Sequence, residues 1–143
     1  MSNPGPASST TIHPQELTSN QAIRLLASAT GVSLNVTGDA PQVMNVINTT
    51  SYNVTNVIIT DANKDVSSGA LAIWTQPAGA GTEIVTNAAL TSNTSSAYVT
   101  KSTVVAATGT ANLSAQNFYV KVGTAVSGGT VDIFIYGTDF SSF

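Results

Sequence analysis

Residues 118–136 read FYVKVGTAVSGGTVDIFIY, and they contain the clearest strand signals in the chain. In both halves of this stretch, aliphatic or aromatic side chains recur at every second position. A Gly-rich segment, 123–130, separates the two halves. A period of two indicates β-strands with one buried face, and the glycines between them indicate a turn.

These two strands predict a β-hairpin. A register with Val122 opposite Val131 places Lys121 opposite Asp132, which pairs opposite charges across the strands. The same register sets Tyr119 beside Phe134 on the outer face. A slip by one residue would bury the lysine, so the register is strongly specified. The side facing the core would then carry Phe118, Val120, Val122, Val131, Ile133 and Ile135.

Further short apolar or β-branched runs recur along the chain at spacings of about ten residues. Gly38–Pro41 predicts a turn, and the Asp61–Asp65 segment predicts a loop. The pattern predicts an all-β fold, an antiparallel β-sandwich of jelly-roll-like type. The other predicted strands are 32–37, 43–47, 54–60, 70–76, 83–86, 96–100 and 102–106.

The start of the chain differs in composition from the rest. Three of the five prolines, Pro4, Pro6 and Pro14, lie within the first twenty residues. Proline lacks an N–H group and fixes its own φ, so residues 1–20 are predicted to be an extended N-terminal arm. The sandwich domain is predicted to cover residues 21–143. Within residues 18–28 the apolar spacing favours a short helix, with a strand that continues into the sheet as the alternative.

Charge is scarce in this chain. Only 8% of residues are charged, the net charge is −3, and Thr, Ser and Asn together make up 50 of the 143 residues. The four cationic residues are scattered, which argues against a nucleic-acid partner, and no segment has the pattern of a membrane helix. Depletion of Lys and Glu is typical of surfaces that form contacts. The first residues lack a secretory signal pattern, so we expect synthesis in the cytoplasm or prior removal of a leader.

The Gly-rich segment Pro77–Thr82 joins two apolar runs. It lacks the lysine of a phosphate-binding loop, and no helix pattern follows it. We therefore expect Gly79 and Gly81 to supply positive φ angles in a hairpin turn. Asp61, Asn63 and Asp65 have the spacing with which a calcium loop opens, but the glycine and glutamate that should follow are missing. An Asx-type turn is the default interpretation there, and a looser calcium site is the alternative.

No catalytic constellation emerges from the sequence. His13 is the only histidine and lies in the predicted arm, and the chain contains no cysteine. We expect no enzyme activity, no cofactor and no metal site. Trp74, the only tryptophan, is either a sugar-stacking platform, together with Tyr52 or Tyr98, or a core or interface residue.

The segment from Gly69 to Phe140 resembles the small structural proteins of tailed-bacteriophage virions. The resemblance rests on the run ALAIWTQPAGAGT (70–82), a Thr/Ala-rich middle, and the closing runs FYVKVGTA (118–125) and VDIFIYGTDF (131–140). The chain is most similar to the capsid decoration, or cement, proteins of such phages. That resemblance implies a sandwich or jelly roll bound on the outer shell of the virion, often as a homotrimer in contact with the major capsid protein.

The sequence thus predicts a structural virion protein that binds the capsid surface and itself. The arm would cross a neighbouring subunit or the capsid protein by adding to an exposed strand edge. The alternative is a carbohydrate- or receptor-binding module of a tail fibre or adhesin. The residues we expect at a partner interface are Tyr119, Phe134, Trp74, Ile12 and His13.

Overall fold

A computed structural model describes residues 23–141 of the chain. The predicted arm, residues 21 and 22, and the last two residues lie outside this range. Within it, no helix is long and apolar enough to cross a membrane. The elements are β1 (Ile23–Ser33), β2 (Gly38–Asn45), β3 (Tyr52–Thr60), β4 (Ala70–Gln76), β5 (Ala80–Ala89), β6 (Thr100–Ser102), α1 (Ala106–Thr110), β7 (Asn117–Thr124) and β8 (Thr130–Asp139), with a 3₁₀ turn at Pro77–Gly79.

The eight strands form two antiparallel four-stranded sheets that pack face to face. One sheet has the order β1-β8-β3-β6 and the other has the order β2-β7-β4-β5. Apart from β4 and β5, strands that follow each other in the chain lie in opposite sheets. This alternation is the arrangement of an eight-stranded jelly roll, and it confirms the predicted all-β sandwich.

The inner faces of the two sheets supply one continuous core. Alternate residues of β7 and β8 are fully buried, as their period of two requires. At one end of the core, Tyr52 and Phe118 meet edge to face, with ring centroids 6.0 Å apart and planes at 79°. The Tyr52 hydroxyl donates a hydrogen bond to the Ala115 carbonyl, so its polar end is satisfied inside the protein.

The predicted β7–β8 hairpin is wrong. β7 pairs with β2 and β4, whereas β8 pairs with β1 and β3 in the opposite sheet. The six predicted core residues are all buried, but they face one another across the sandwich. Either arrangement buries the same six side chains, so alternation alone does not distinguish between them. Lys121 lies opposite Asp39 and Ala72, and Asp132 accepts a hydrogen bond from the Gly31 amide at 2.7 Å.

Three local predictions near the start of the described range are also wrong. Residues 23–28, for which a helix was favoured, belong to strand β1 and pair with β8 along an irregular register. Gly38–Pro41, predicted to be a turn, opens strand β2. The chain instead turns over residues 34–37, so the strand predicted at 32–37 ends at Ser33. Pro41 lies where the register with β7 skips from Asp39 to Val43. Bulges on edge strands are places where proline is tolerated, because no ladder bond is lost there.

The hairpin of β4 and β5 contains the predicted glycine turn. Gly79 has φ 74° and Gly81 has φ 76°, which confirms that both glycines serve the turn conformation. Ala78 between β4 and Gly79 also has a positive φ, 62°. Asp39 accepts a hydrogen bond from the Ala78 amide at 2.7 Å, and the Lys121 ammonium donates to the Ala78 carbonyl at 3.4 Å. These contacts hold the turn against the outer face of the sheet.

Candidate functional site

A row of large side chains crosses the outer face of the β2-β7-β4-β5 sheet. Tyr119 of β7 lies opposite Val43 of β2 on one side and opposite Trp74 of β4 on the other. Trp74 in turn lies opposite Glu83 of β5, so four strands contribute one residue each. Tyr119 and Trp74 are half-buried, and Val43 is 44% exposed. Outward-facing aromatic and aliphatic groups of this kind are typical of a surface that meets a partner.

Beside this row lies a depression of about 220 Å³. Its floor is low because Ala72 and Gly123, on neighbouring strands, have little or no side chain. A Cβ atom at Gly123 would lie 2.0 Å from the Asn87 amide oxygen, so the glycine is what allows Asn87 to lie over β7. The walls are formed by Trp74, Glu83, Thr86, Asn87 and Lys121.

The chemistry of this depression is mixed. It combines an indole, a carboxylate, an amide, a hydroxyl and an ammonium group. The indole Nε1 of Trp74 is shielded from solvent and meets no hydrogen-bond acceptor among residues 23–141. Flat aromatic surface next to a few polar groups is suited to ligands that have both an apolar face and hydroxyls.

The outer face of the other sheet carries a second apolar patch. Phe134 of β8 lies opposite Ser28 and Ile58, and Tyr136 of the same strand lies opposite Leu25. All of these side chains are half-buried, and no further layer of described residues covers the sheet. Phe134 and Tyr119 were expected to be neighbours, and that expectation is wrong because they lie on opposite outer faces of the sandwich.

The remaining candidates fall elsewhere. Tyr52 is fully buried, so its proposed role as a sugar platform is wrong. Tyr98 is 55% exposed in the segment before β6, away from the depression. Ile12 and His13 lie outside the described residues.

The sequence with calcium-like spacing forms local turn contacts. Asp65 accepts a hydrogen bond from the Ser67 amide at 2.9 Å, which is an Asx turn. Hydrogen bonds with Ser67 hold the pKa of Asp65 below its ordinary value. The Asn63 side chain instead joins Gly128 and Thr130 of the β7–β8 connection. Across residues 23–141, no cluster of three or more His, Asp or Glu side chains could hold a metal ion.

Sequence reasoning found Trp74 and, in the adjoining row, Tyr119, but it missed the other walls of the depression. Glu83, Asn87 and Lys121 come together only because β7 lies beside β4, and forty residues separate those two strands in the chain. No local pattern signals this adjacency. A search of protein-family models, curated proteins and solved structures finds no match to the chain.

Proposed function

We propose that this chain is a structural virion protein of the capsid decoration, or cement, type. It would bind the outer shell of a tailed bacteriophage as a homo-oligomer, favoured as a trimer, and stabilise that shell without catalysis. The observation that carries the proposal is the pair of half-buried apolar patches on both outer faces of a sandwich in which only 8% of residues are charged.

Low charge favours close packing of copies. Few like charges repel one another across a contact, and short hydroxyl and amide side chains lose little entropy when they are buried. Each patch offers a small apolar contact, and repetition around a symmetric lattice multiplies such contacts into avidity. The arm, residues 1–20, would add main-chain hydrogen bonds by joining an exposed strand edge.

The proposal is tested by sedimentation of the purified chain with expanded shells that lack it. We expect saturable binding by the full chain and loss of binding by a chain without residues 1–18. Absence of the full chain from the pellet would contradict the proposed function. Equal binding by the truncated chain would show that the arm is not needed for attachment, and the two apolar patches would then be the candidate contact surfaces.

A matched pair of variants tests the sheet face. Phe134→Ser removes the central aromatic ring of the β1-β8-β3-β6 patch, whereas Tyr98→Ser removes an exposed ring outside both patches. If this face docks, only Phe134→Ser weakens oligomerisation or shell binding, as measured by analytical ultracentrifugation and sedimentation. Equal behaviour of the two folded variants would exclude this face.

A second candidate function is saccharide binding, and the depression beside Trp74 is the observation that favours it. Because Trp74 is the only tryptophan, its fluorescence reports directly on this site. A saccharide that stacks on the indole should shift or quench the emission, and Trp74→Ala should abolish binding on a glycan array while Tyr98→Ala retains it. An array on which the wild-type chain binds nothing would exclude this candidate.

A further inference from the structure

Two edge strands, β5 of one sheet and β6 of the other, lie along the same side of the sandwich. Among residues 23–141, β5 pairs only with β4 and β6 pairs only with β3, so each ends its sheet. After β6 the chain crosses to β5, where the Val105 amide donates to the Ile84 carbonyl at 3.0 Å and the Thr108 hydroxyl donates to the Glu83 carbonyl. Beyond this crossing the edges separate and leave a groove of about 400 Å³.

One wall of the groove belongs to the edge strand β5. Its walls are Thr86, Ala88 and Ala89 of β5 and the segment 100–105. Among the described residues, main-chain and hydroxyl donors from outside β4 reach β5 only at Glu83 and Ile84. The last part of β5 therefore keeps an unpaired edge.

The two edges differ in how far they are protected, although pairing of β5 with β4 is itself irregular between Val85 and Ala88. β6 is only three residues long and carries Lys101, and both features discourage pairing with another strand. The open part of β5, residues 86–89, contains no charge and no proline. An uncharged open edge of this kind is suited to accept an added strand.

A side chain in the groove also lacks a partner. Ser102 is only 7% exposed, and its hydroxyl meets no hydrogen-bond partner among residues 23–141. Buried polar groups in folded proteins are normally hydrogen-bonded. The Ser102 hydroxyl is shielded from the groove as well as from solvent, so an added peptide could bond to it only after the side chain changes rotamer.

We propose that residues 7–13 of a second copy of this chain occupy the groove as an added strand against residues 86–89. The inference rests on the proposed arm-mediated assembly and identifies where the arm binds. Residues 7–13, ASSTTIH, lie between Pro6 and Pro14 and so keep every main-chain N–H for pairing. Thr10, Thr11 and Ile12 are β-branched, which favours an extended strand.

Ile12 is the anchor of this strand. It is the only branched aliphatic residue before Leu17. The groove offers matching apolar surface from Ala88, Ala89 and Val104. A single aliphatic side chain in a small apolar pocket fixes the register, while the main-chain hydrogen bonds supply attachment without reading the other side chains.

Residues 14–22 span ~30 Å when extended and so could reach the groove of their own copy, but a neighbouring copy offers a shorter path. The described chain begins at Ile23 in β1, and β1 and β6 are opposite edges of the same sheet. Within one copy, residues 14–22 would have to cross three strand spacings, ~14 Å, and then pass round the edge into the groove. In a ring where the groove of one copy faces the β1 edge of the next, no crossing is needed. Head-to-tail contacts of this kind close into cyclic oligomers such as trimers.

Cysteine pairing tests the inference, since the chain has no native cysteine. Full-length Ile12→Cys and Ala88→Cys chains, carrying different affinity tags, are co-expressed and oxidised mildly, and disulfide-linked heterodimers are measured on non-reducing gels. We expect a heterodimer with Ala88→Cys, and with Thr103→Cys on the opposite wall of the groove. Val36→Cys, at a 69% exposed position outside the groove, is the control and should give none.

Two outcomes would overturn the inference. One is no more heterodimer with either groove variant than with Val36→Cys, provided circular dichroism shows all chains folded. The other is a disulfide that forms only within a single chain carrying both Ile12→Cys and Ala88→Cys. Shell binding by the wild-type chain is measured separately. If the chain binds shells and the disulfide is absent, the groove inference fails and the proposed function stands.

Discussion

At the scale of single residues, an ion pair ties three segments together where β1 begins. The Arg24 guanidinium contacts the Asp139 carboxylate at 2.9 Å and donates to the Ile47 carbonyl at 2.7 Å. The other oxygen of Asp139 accepts hydrogen bonds from Thr49 and from the Ser141 amide. Asp139 is 4% exposed, so these partners replace water around a buried charge.

Removal of this charge should destabilise the protein in a way that depends on pH. Burial acts to raise the pKa of Asp139, but hydrogen bonds from Thr49 and Ser141 and the charge of Arg24 outweigh it and lower that pKa. The carboxylate therefore stabilises the fold above about pH 4, and this contribution is lost as pH falls through the lowered pKa.

Asp139→Asn should accordingly lower the free energy of unfolding at pH 7 by about 1–3 kcal/mol. The variant should also lose less stability than wild type between pH 7 and pH 3, as measured by urea denaturation. Asp65→Asn, at a fully exposed position, is the matched control and should change much less. An Asp139→Asn chain with wild-type stability at pH 7 would contradict the role given to this network.

Tyr52 shows the opposite dependence on pH. Burial raises the pKa of its phenol to about 12, so the folded state keeps its proton where the unfolded state loses it. The contribution of the protonated phenol to the free energy of unfolding is fully present below about pH 10, and it is lost as pH rises toward the raised pKa. Tyr52→Phe should cost about 1 kcal/mol at pH 7, because the Ala115 carbonyl loses its donor. Its unfolding curves should change less than those of wild type between pH 9 and pH 11, and an equal loss would contradict this assignment.

At the scale of elements, the β4–β5 hairpin contains a glycine, Gly81, whose replacement should strain the turn. Gly81 has φ 76°, and a Cβ atom there would lie 2.5 Å from the Thr75 hydroxyl oxygen. Gly81→Ala should destabilise the protein by roughly 1–3 kcal/mol, from backbone strain and displacement of Thr75. Gly109→Ala in α1 is the control, because an added methyl group meets nothing closer than 3.7 Å. Thermal unfolding should show a lower midpoint for the first variant and an unchanged or higher one for the second.

The elements also show what local sequence determines. The β4–β5 turn was predicted correctly because positive-φ glycines and strand alternation are local signals. The pairing partners of β7 and β8 were not predicted correctly. Phe118 and Val120 of β7 are buried equally well whether β8 lies next to β7 in the same sheet or faces it from the other sheet. Ile23, Leu25 and Leu26 have a spacing that suits either a helix or a strand, and pairing with β8 decides in favour of the strand.

At the scale of the whole molecule, the sandwich class was predictable and the binding surfaces were only partly so. A chain of many short strands with alternating apolar residues, separated by Gly, Asn and Ser, can bury its apolar faces in few architectures other than two packed sheets. The depression beside Trp74 and the groove between β5 and β6 depend on the strand order, to which residues far apart in the chain contribute. Trp74 stood out in the sequence because it is unique, but Ser102 carried no signal.

Attachment to a viral shell is the central claim about the whole molecule. It is tested most directly by electron microscopy of virions assembled from the genome that encodes the chain, with the chain carrying a terminal label. The proposal predicts label at regular, symmetry-related positions on the outer surface of the head. Label confined to the tail, or virions that carry none, would contradict it.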